Sequence, residues 1–182
     1  MSFADDWDHW ANSFPPRVAR GWRDFLDAIE TLVREVVYTP AKVDLATGSL
    51  TGGDIDSVQA MNDGDTYDVD EVTGVPGFAM TFTFSGITTF DRIFLYLKYN
   101  GSSTHFVYVQ LYNYTTTSWD TQLEFSDHSV FELFNIEVYD DTDYIDSGAA
   151  LVRLYHVTTG NAAHDISIDY VALARAGVKI PA

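Results

Sequence analysis

The chain has 182 residues, of which 46% are apolar and 15% aromatic, so it is long enough to fold around one sizeable hydrophobic core. Its formal net charge of −17 excludes favourable binding to nucleic acid or to anionic membranes, because a strongly negative surface repels both. The sequence holds no cysteine, which excludes disulfides and thiolate metal sites.

The first 14 residues form a short acidic arm with a regular aromatic pattern. Four aromatic residues recur in it at spacings of four, three and four: Phe3, Trp7, Trp10 and Phe14. In a helix these side chains would form a single stripe. Large apolar side chains outside a core usually serve a partner, so we predict a docking arm. The alternative is that the arm folds back onto the rest of the chain.

The segment from residue 15 to 38 has the pattern of an amphipathic helix, ended by Thr39-Pro40. Its apolar residues recur at heptad spacing: Val18, Trp22, Phe25, Ile29, Leu32 and Val36. Such a seam must be buried against another surface, and we predict that it drives oligomerisation. The bulk of Trp22 favours three or more copies over two.

From residue 43 onward the hydrophobic period changes to two. Candidate strands are 49–60, 66–73, 78–84, 91–99, 104–114, 119–125, 131–139, 149–158 and 164–174. In candidate strand 78–84, we expect one face to carry Phe78, Met80, Phe82 and Phe84. The segments 91–99 and 104–114 are densely apolar, so we expect central strands buried on both faces, with Tyr96 and Tyr108 in structural roles. The predicted fold is mainly β, a jelly-roll β-sandwich of eight or nine strands over residues 43–182, preceded by an N-terminal helical arm over residues 1–42.

The β region resembles the jelly-roll, galactose-binding-like modules of structural proteins from tailed viruses. The resemblance rests on these motifs: Asn62-Asp63-Gly64 before a strand, Phe90-Asp91-Arg92-Ile93, the hairpin LYNYTTTSWDT, and the closing sequences VRLYH and ISIDYV. The resemblance covers about residues 49 to 174 and implies a β-sandwich displayed on a virion, with glycan adhesion as a proposed activity.

Motifs of the common enzyme classes are missing from the sequence. It contains no G-x-S-x-G, no glycine-rich phosphate loop and no H-E-x-x-H among its five histidines. We therefore expect a protein that is not an enzyme. His105, His156 and His164 are interpreted as strand or turn residues that make local hydrogen bonds.

Two acidic loops are candidates for a structural Ca²⁺ ion, the only cofactor that the sequence suggests. Calcium prefers clusters of carboxylate and carbonyl oxygens. The candidate ligands are Asp140, Asp141, Asp143 and Asp146 in one loop, and Asn62, Asp63 and Asp65 in the other. Neither loop matches an EF-hand, and the alternative is that these residues form solvated turns.

Aromatic residues near predicted loops are candidates for sugar binding, because aromatic rings stack on the apolar faces of pyranoses. The residues singled out are Tyr114, Trp119 and Tyr144. The alternative for Trp119 is a structural role, with its indole covering the edge of the sandwich.

The acidic composition has two interpretations. With 21 Asp and three Lys, the chain is similar in composition to proteins of halophilic organisms. An ordinary acidic extracellular or virion surface would give the same excess.

Two functions from different classes remain open. The first is a virion structural protein, a head decoration, neck or tail component, in which residues 1–42 bind other virion proteins and form a trimer or higher homo-oligomer. It would be assembled in the host cytoplasm, since no secretory signal is visible, and would bind a host-surface glycan. The alternative is a carbohydrate-binding module that targets a host or enzyme complex to polysaccharide.

Overall fold

The alternation of apolar and polar residues lets each strand bury one face against a second sheet. The computed structural model describes residues 36 to 175. Eleven strands lie in this range: β1 (Val36–Tyr38), β2 (Lys42–Thr47), β3 (Ser49–Gly52), β4 (Tyr67–Asp70), β5 (Ala79–Ser85), β6 (Arg92–Asn100), β7 (Val107–Asn113), β8 (Ser118–Phe125), β9 (His128–Glu137), β10 (Ala149–His156) and β11 (Asp165–Arg175). The same range holds two 3-10 turns, Asp56–Val58 and Thr142–Tyr144, and no α-helix. None of its helical segments is long and apolar enough to cross a membrane.

The strands form two antiparallel sheets. Six belong to one sheet, in the order β3-β4-β11-β6-β9, with β1 also paired to β11. Five belong to the other, in the order β2-β5-β10-β7-β8. A single cluster of buried side chains drawn from both sheets lies between them. The predicted mainly β sandwich is confirmed, with eleven strands in place of eight or nine.

The core follows the alternation that the sequence predicts. Phe78 and, in β5, Met80, Phe82 and Phe84 are all 0% exposed. The threonines between them, Thr81 and Thr83, face outward and are only half-buried. Burial of each large apolar side chain stabilises the sandwich by about 1.5–3 kcal/mol relative to exposure.

The predicted helix is wrong at its C-terminal end. Residues Val36–Tyr38 form strand β1 and pair antiparallel with Arg175, Ala174 and Leu173. Val36, which the sequence assigned to the helical seam, is a strand residue and 45% exposed. Two β-branched valines and a tyrosine have strand propensity, and a neighbouring strand supplies their backbone partners. The rest of the predicted helix and the predicted docking arm lie outside the described residues.

Two strand boundaries also differ from the prediction. The predicted strand 49–60 ends at Gly52, since Gly53 has a left-handed φ of 75° and leads into the 3-10 turn. A side chain at Gly53 would meet the carbonyl oxygen of Thr66 at 2.2 Å. Strand β2, which precedes the first of the predicted strands, pairs with β5.

The two densely apolar segments form interior strands, β6 and β7, but β6 is not buried on both faces. Its inward residues are buried, whereas the outward Phe94, Tyr96 and Lys98 are half-exposed. Tyr96 therefore lies on the outer face of the six-stranded sheet, and the structural role predicted for it stays a prediction.

Candidate functional site

A cleft of about 520 Å³ crosses the outer face of the six-stranded sheet. Five neighbouring strands supply its floor, because alternate residues of each strand point to this face. The lining residues are Thr51, Asn62, Gly64, Thr66, Asp68, Asp70, Tyr96, Lys98, Phe131, Asp165, Ser167 and Asp169. The cleft therefore combines two aromatic rings with hydroxyl, carboxylate and ammonium groups.

The aromatic part of the cleft is built by β6 and β9. The rings of Tyr96 and Phe131 lie 5.2 Å apart, between centroids, at an angle of 36°. The ammonium group of Lys98 lies 5.4 Å from the centroid of the Phe131 ring. Both rings are only half-buried. They form an apolar surface with a hydrogen-bond donor at its margin.

The loop between β3 and β4 forms one wall of the cleft. Asn62 adopts a left-handed φ of 63°, and its backbone N–H donates to a carboxylate oxygen of Asp169 on β11. Ser57 and Val58 of the 3-10 turn are buried beneath the loop. These contacts fix the loop against the sheet, so the wall is formed before any ligand binds.

Carboxylates dominate the polar part of the cleft. The cleft is lined by four aspartates, Asp68, Asp70, Asp165 and Asp169, and by one lysine, Lys98. Asp68 accepts a hydrogen bond from the Thr66 hydroxyl at 3.1 Å, and Asp165 accepts one from the Asn100 amide at 3.1 Å. Each carboxylate offers about four acceptor positions, so these groups can accept further hydroxyl protons.

The three aromatic residues that the sequence assigned to sugar binding lie away from this cleft. Tyr114 and Trp119 each contact Tyr112 edge-to-face, at centroid distances of 5.1 and 5.2 Å, beside the five-stranded sheet. Tyr144 packs against the core, and its hydroxyl donates to Asp120 at 3.1 Å. Their role in binding stays a prediction.

The guanidinium group of Arg153 covers aromatic surface of the five-stranded sheet. It lies 4.2 Å from the Trp119 ring and 4.6 Å from the Tyr155 ring. It also donates two hydrogen bonds, at 2.9 and 2.6 Å, to the side-chain oxygen of Gln110. The aromatic faces in contact with Arg153 are thus already occupied within the protein.

The candidate calcium ligands do not converge among the described residues. In the first loop, Asp140 accepts from Thr142, Asp141 from the Phe90 amide at 2.6 Å, and Asp143 from Thr115 at 2.7 Å. Asp146, which closes that loop, pairs its backbone with Ala149. In the second loop, Asp63 accepts from the Asp65 amide, and Asp65 from the Thr66 amide. The contacts of Asp140, Asp63 and Asp65 are local and form turns, whereas those of Asp141 and Asp143 reach other segments of the chain. Calcium binding stays a prediction.

A second polar site lies at one end of the sandwich, around the fully buried side chain of Glu71. One carboxylate oxygen accepts from the Tyr99 hydroxyl, and the other accepts from the Asn161 amide at 2.6 Å. Nδ1 of His105 lies 3.2 Å from Glu71 Oε2. Two further histidines approach Glu71 Oε1, with His156 Nε2 at 3.4 Å and His164 Nδ1 at 3.5 Å. We name Glu71, His105, His156 and His164 the histidine cluster.

Hydrogen bonding and burial set the protonation of this cluster. Burial would raise the pKa of the Glu71 carboxyl, but the hydrogen bonds from Tyr99 and Asn161 outweigh it and lower that pKa. Burial raises the pKa of Tyr99, and the Glu71 carboxylate raises it further, so the phenol keeps its proton. Burial lowers the pKa of His156, against the opposite effect of Glu71. The cluster favours an ionised carboxylate and a neutral His156 imidazole.

The sequence analysis did not connect Glu71 with these histidines, because no local motif joins them. Glu71 follows β4 directly, and His105 precedes β7 by two residues. His156 ends β10, and His164 precedes β11. Antiparallel pairing of β4 with β11, and of β10 with β7, brings these strand ends to one end of the sandwich. In the predicted strands only His105 and His164 lie near a strand start, since Glu71 and His156 fall inside 66–73 and 149–158. The strand order was not visible in the sequence at all.

No protein-family model and no curated protein matches the chain. Solved structures share its fold. A structure named "Carbohydrate binding module family29" superposes with a TM-score of 0.53 at 14% identity, over 79% of this chain and 91% of its own.

Two mutants of family 29 modules give similar values. One has a TM-score of 0.54 at 12% identity, over 79% of this chain and 94% of its own. The other has a TM-score of 0.53 at 12% identity, over 82% of this chain and 99% of its own. At these identities the likeness shows the fold alone, a jelly-roll-like β-sandwich.

Proposed function

We propose that this chain binds a neutral polysaccharide, without chemically changing it, in the cleft of the six-stranded sheet. The observation that carries the proposal is the half-exposed pair of Tyr96 and Phe131 on a preformed sheet face. Aromatic rings stack on the apolar faces of sugar rings, while nearby acceptors and donors bind the hydroxyl groups. The carboxylates and Lys98 around this pair supply such groups.

The charge of the cleft determines which class of polysaccharide fits. Four carboxylates against one ammonium give the lining an excess of negative charge. An anionic chain, such as a polyuronate, would bring like charges into a partly desolvated groove, which is unfavourable. Sugar hydroxyls, in contrast, donate protons to carboxylates in hydrogen bonds stronger than those to neutral acceptors. The cleft therefore suits a neutral hexose or pentose polymer.

The shared fold supports this proposal over the virion-protein hypothesis, since the similar structures are named as carbohydrate binding modules. The packing of Arg153 supports the choice of sheet, because it covers the Trp119 ring at 4.2 Å, more closely than the 5.4 Å at which Lys98 lies over the Phe131 ring. Display on a viral particle, oligomerisation and attachment through the N-terminal segment stay predictions. Apart from Val36, the residues predicted for oligomerisation and attachment lie outside the described range.

The proposal is tested by titrating the chain calorimetrically with gluco-, manno- and xylo-oligosaccharides and with oligogalacturonate. We expect binding of at least one neutral series and none of the anionic one. Phe131→Ala and Tyr96→Ala remove the stacking surface and should each weaken binding about tenfold. Trp119→Ala is the matched aromatic control on the other sheet and should leave the affinity unchanged.

Three results would contradict the proposal. The first is that no neutral oligosaccharide binds. The second is equal affinity of the wild type and both cleft variants. The third is loss of binding in Trp119→Ala alone, which would move the site to the five-stranded sheet. Melting curves of each variant show whether the fold is retained.

A further inference from the structure

We propose that the histidine cluster is a binding site for a divalent transition-metal ion of the zinc class. Glu71, His105 and His164 would be its ligands, with His156 beside them. Each of the three offers one ligand atom, and these atoms all lie within 4.8 Å of one another. No other group of this kind occurs among residues 36 to 175.

The separations between the ligand atoms fit a tetrahedral ion. Bonds of about 2.0–2.2 Å from zinc to nitrogen or oxygen place neighbouring ligands about 3.3–3.6 Å apart. His105 Nδ1 lies 3.2 Å from Glu71 Oε2, and His164 Nδ1 lies 3.5 Å from Glu71 Oε1, so each histidine is at this spacing from a different oxygen of the carboxylate. Since the three ligand atoms lie within 4.8 Å of one another, side-chain adjustments would bring them around one ion.

Hydrogen bonding alone does not satisfy these groups. His105 Nδ1 lies within 3.2 Å of Glu71 and within 3.1 Å of His156 Nε2, but one nitrogen carries only one proton or one lone pair. Among the described residues, two buried ring nitrogens have no hydrogen-bond partner at all: His156 Nδ1 and His164 Nδ1. A buried polar atom without a hydrogen-bond partner costs folding free energy, and a bond to a metal ion would give Nδ1 of His164 a partner.

The surroundings orient the ligands. The Asn161 side chain lies 3.3 Å from Nε2 of His164, on the side of the ring away from Glu71. Because an amide nitrogen is a donor, this contact makes Nε2 the acceptor and leaves the proton of a neutral His164 ring on Nδ1, which faces the carboxylate. A metal ion at Nδ1 would displace that proton. The Asn161 backbone amide holds Glu71 at the same time.

The site is reachable from solvent although its anchor is buried. The side chains of Glu71 and His156 are 0% exposed, whereas those of His105 and His164 are 18% and 16% exposed. An ion could enter past the two exposed rings. Once bound, it would connect the ends of strands from both sheets, which serves as a cross-link in a chain without cysteine.

The ligand chemistry selects the ion. Imidazole nitrogens suit zinc, cobalt, nickel and copper, whereas calcium and magnesium require oxygen ligands. A site with two or three imidazoles and one carboxylate should therefore discriminate strongly against calcium. This preference for transition metals distinguishes the histidine cluster from the two acidic loops, whose oxygen ligands suggested calcium.

The test uses the full-length chain, stripped of metal with EDTA and then dialysed. Calorimetric titration with Zn²⁺ should show one tight site per chain and a higher melting temperature, while Ca²⁺ should produce neither at this site. Co²⁺ should give the visible absorption bands of a tetrahedral complex with nitrogen and oxygen ligands.

Variants locate the site. His105→Ala and His164→Ala each remove one partly exposed ligand and should weaken Zn²⁺ binding at least ~100-fold. His128→Ala is the matched control, because this histidine contacts the Ser126 carbonyl and Glu132 instead of the cluster. Its Zn²⁺ affinity should equal that of the wild type.

The proposal is overturned if the wild type binds no Zn²⁺, or if both ligand variants bind it as tightly as the wild type. Loss of binding only in His128→Ala would overturn it too. Glu71→Gln provides a further variant, which keeps the shape of the side chain and removes its charge. It should lose the Co²⁺ bands, and their persistence would contradict the assignment of Glu71 as a ligand.

Discussion

At the scale of single residues, the buried side chain of Glu71 organises one end of the sandwich. Its carboxylate accepts from the Tyr99 hydroxyl and the Asn161 amide and contacts three histidines. A buried carboxylate is tolerated only when such donors surround it. Backbone segments approach one another closely beside Glu71, and two glycines, Gly77 and Gly160, leave room for that approach.

Substitution of Gly160 should destabilise the fold. A Cβ at this position would lie 2.2 Å from the carbonyl oxygen of Val72 and 2.6 Å from Cα of Gly77. Because backbone atoms cannot yield easily, we expect Gly160→Ala to lower the free energy of unfolding by about 2–3 kcal/mol, measured by urea denaturation.

Gly74→Ala is the matched control for that variant. A Cβ at Gly74 would have no neighbour within 4 Å, and the substitution should be neutral or stabilise by up to about 1 kcal/mol. Equal stabilities of the two variants would show that Gly160 is not held in the close contact described.

At the scale of elements, strand β1 replaces the end of a predicted helix. Its pairing with β11 places Tyr38 against the core, where its hydroxyl also lies 3.1 Å from the Thr88 hydroxyl. Val36, two residues earlier in the same strand, is 45% exposed. The heptad pattern singled out Val36, whereas the residue of β1 that packs against the core is Tyr38.

This difference between the two residues can be measured in the full-length chain. Tyr38→Ala should lower the free energy of unfolding of the sandwich by about 1–2 kcal/mol, because it removes apolar contacts with the core. Val36→Ala, the control, should change it by less than about 0.5 kcal/mol. If Val36→Ala is the more damaging variant in urea denaturation, the seam of the predicted helix extends to this residue after all.

The charge of the chain acts at the scale of the whole molecule. Its 27 acidic residues outnumber its 10 lysines and arginines by 17, so most carboxylates cannot have a basic partner. The ion pairs of Lys42 and Arg92 are exposed and contribute little. Mutual repulsion of the remaining carboxylates opposes folding.

Added salt should therefore stabilise the protein. The screening length falls from about 10 Å at 0.1 M to about 3 Å at 1 M salt, which removes most of the repulsion. We expect the melting temperature to rise by at least about 3 °C between 0.1 M and 1 M KCl, equivalent to ~1 kcal/mol. A melting temperature that is unchanged or lower at 1 M would contradict both this prediction and the halophilic interpretation.

The sequence by itself determined the β-sandwich, because alternation is a local property of the chain. Phe78, Met80, Phe82 and Phe84 were expected on one face, and the structure buries all four. The dense apolar pattern of segment 91–99 predicted burial on both faces, whereas the structure puts Tyr96 and Lys98 on the outer face of β6, where they line the cleft. The cleft depends on the loop fixed between Asn62 and Asp169.

Only the tertiary structure decided the two candidate sites. Glu71 and His105 are 34 residues apart in the chain, yet their side chains lie 3.2 Å apart. Pairing β4 with β11 and β10 with β7 produces this proximity, and no periodicity encodes which strands pair. The same pairing supplied β11 as the partner of Val36–Tyr38. Local hydrophobic patterns fix which face of a strand is buried, whereas long-range backbone hydrogen bonds fix which residues meet.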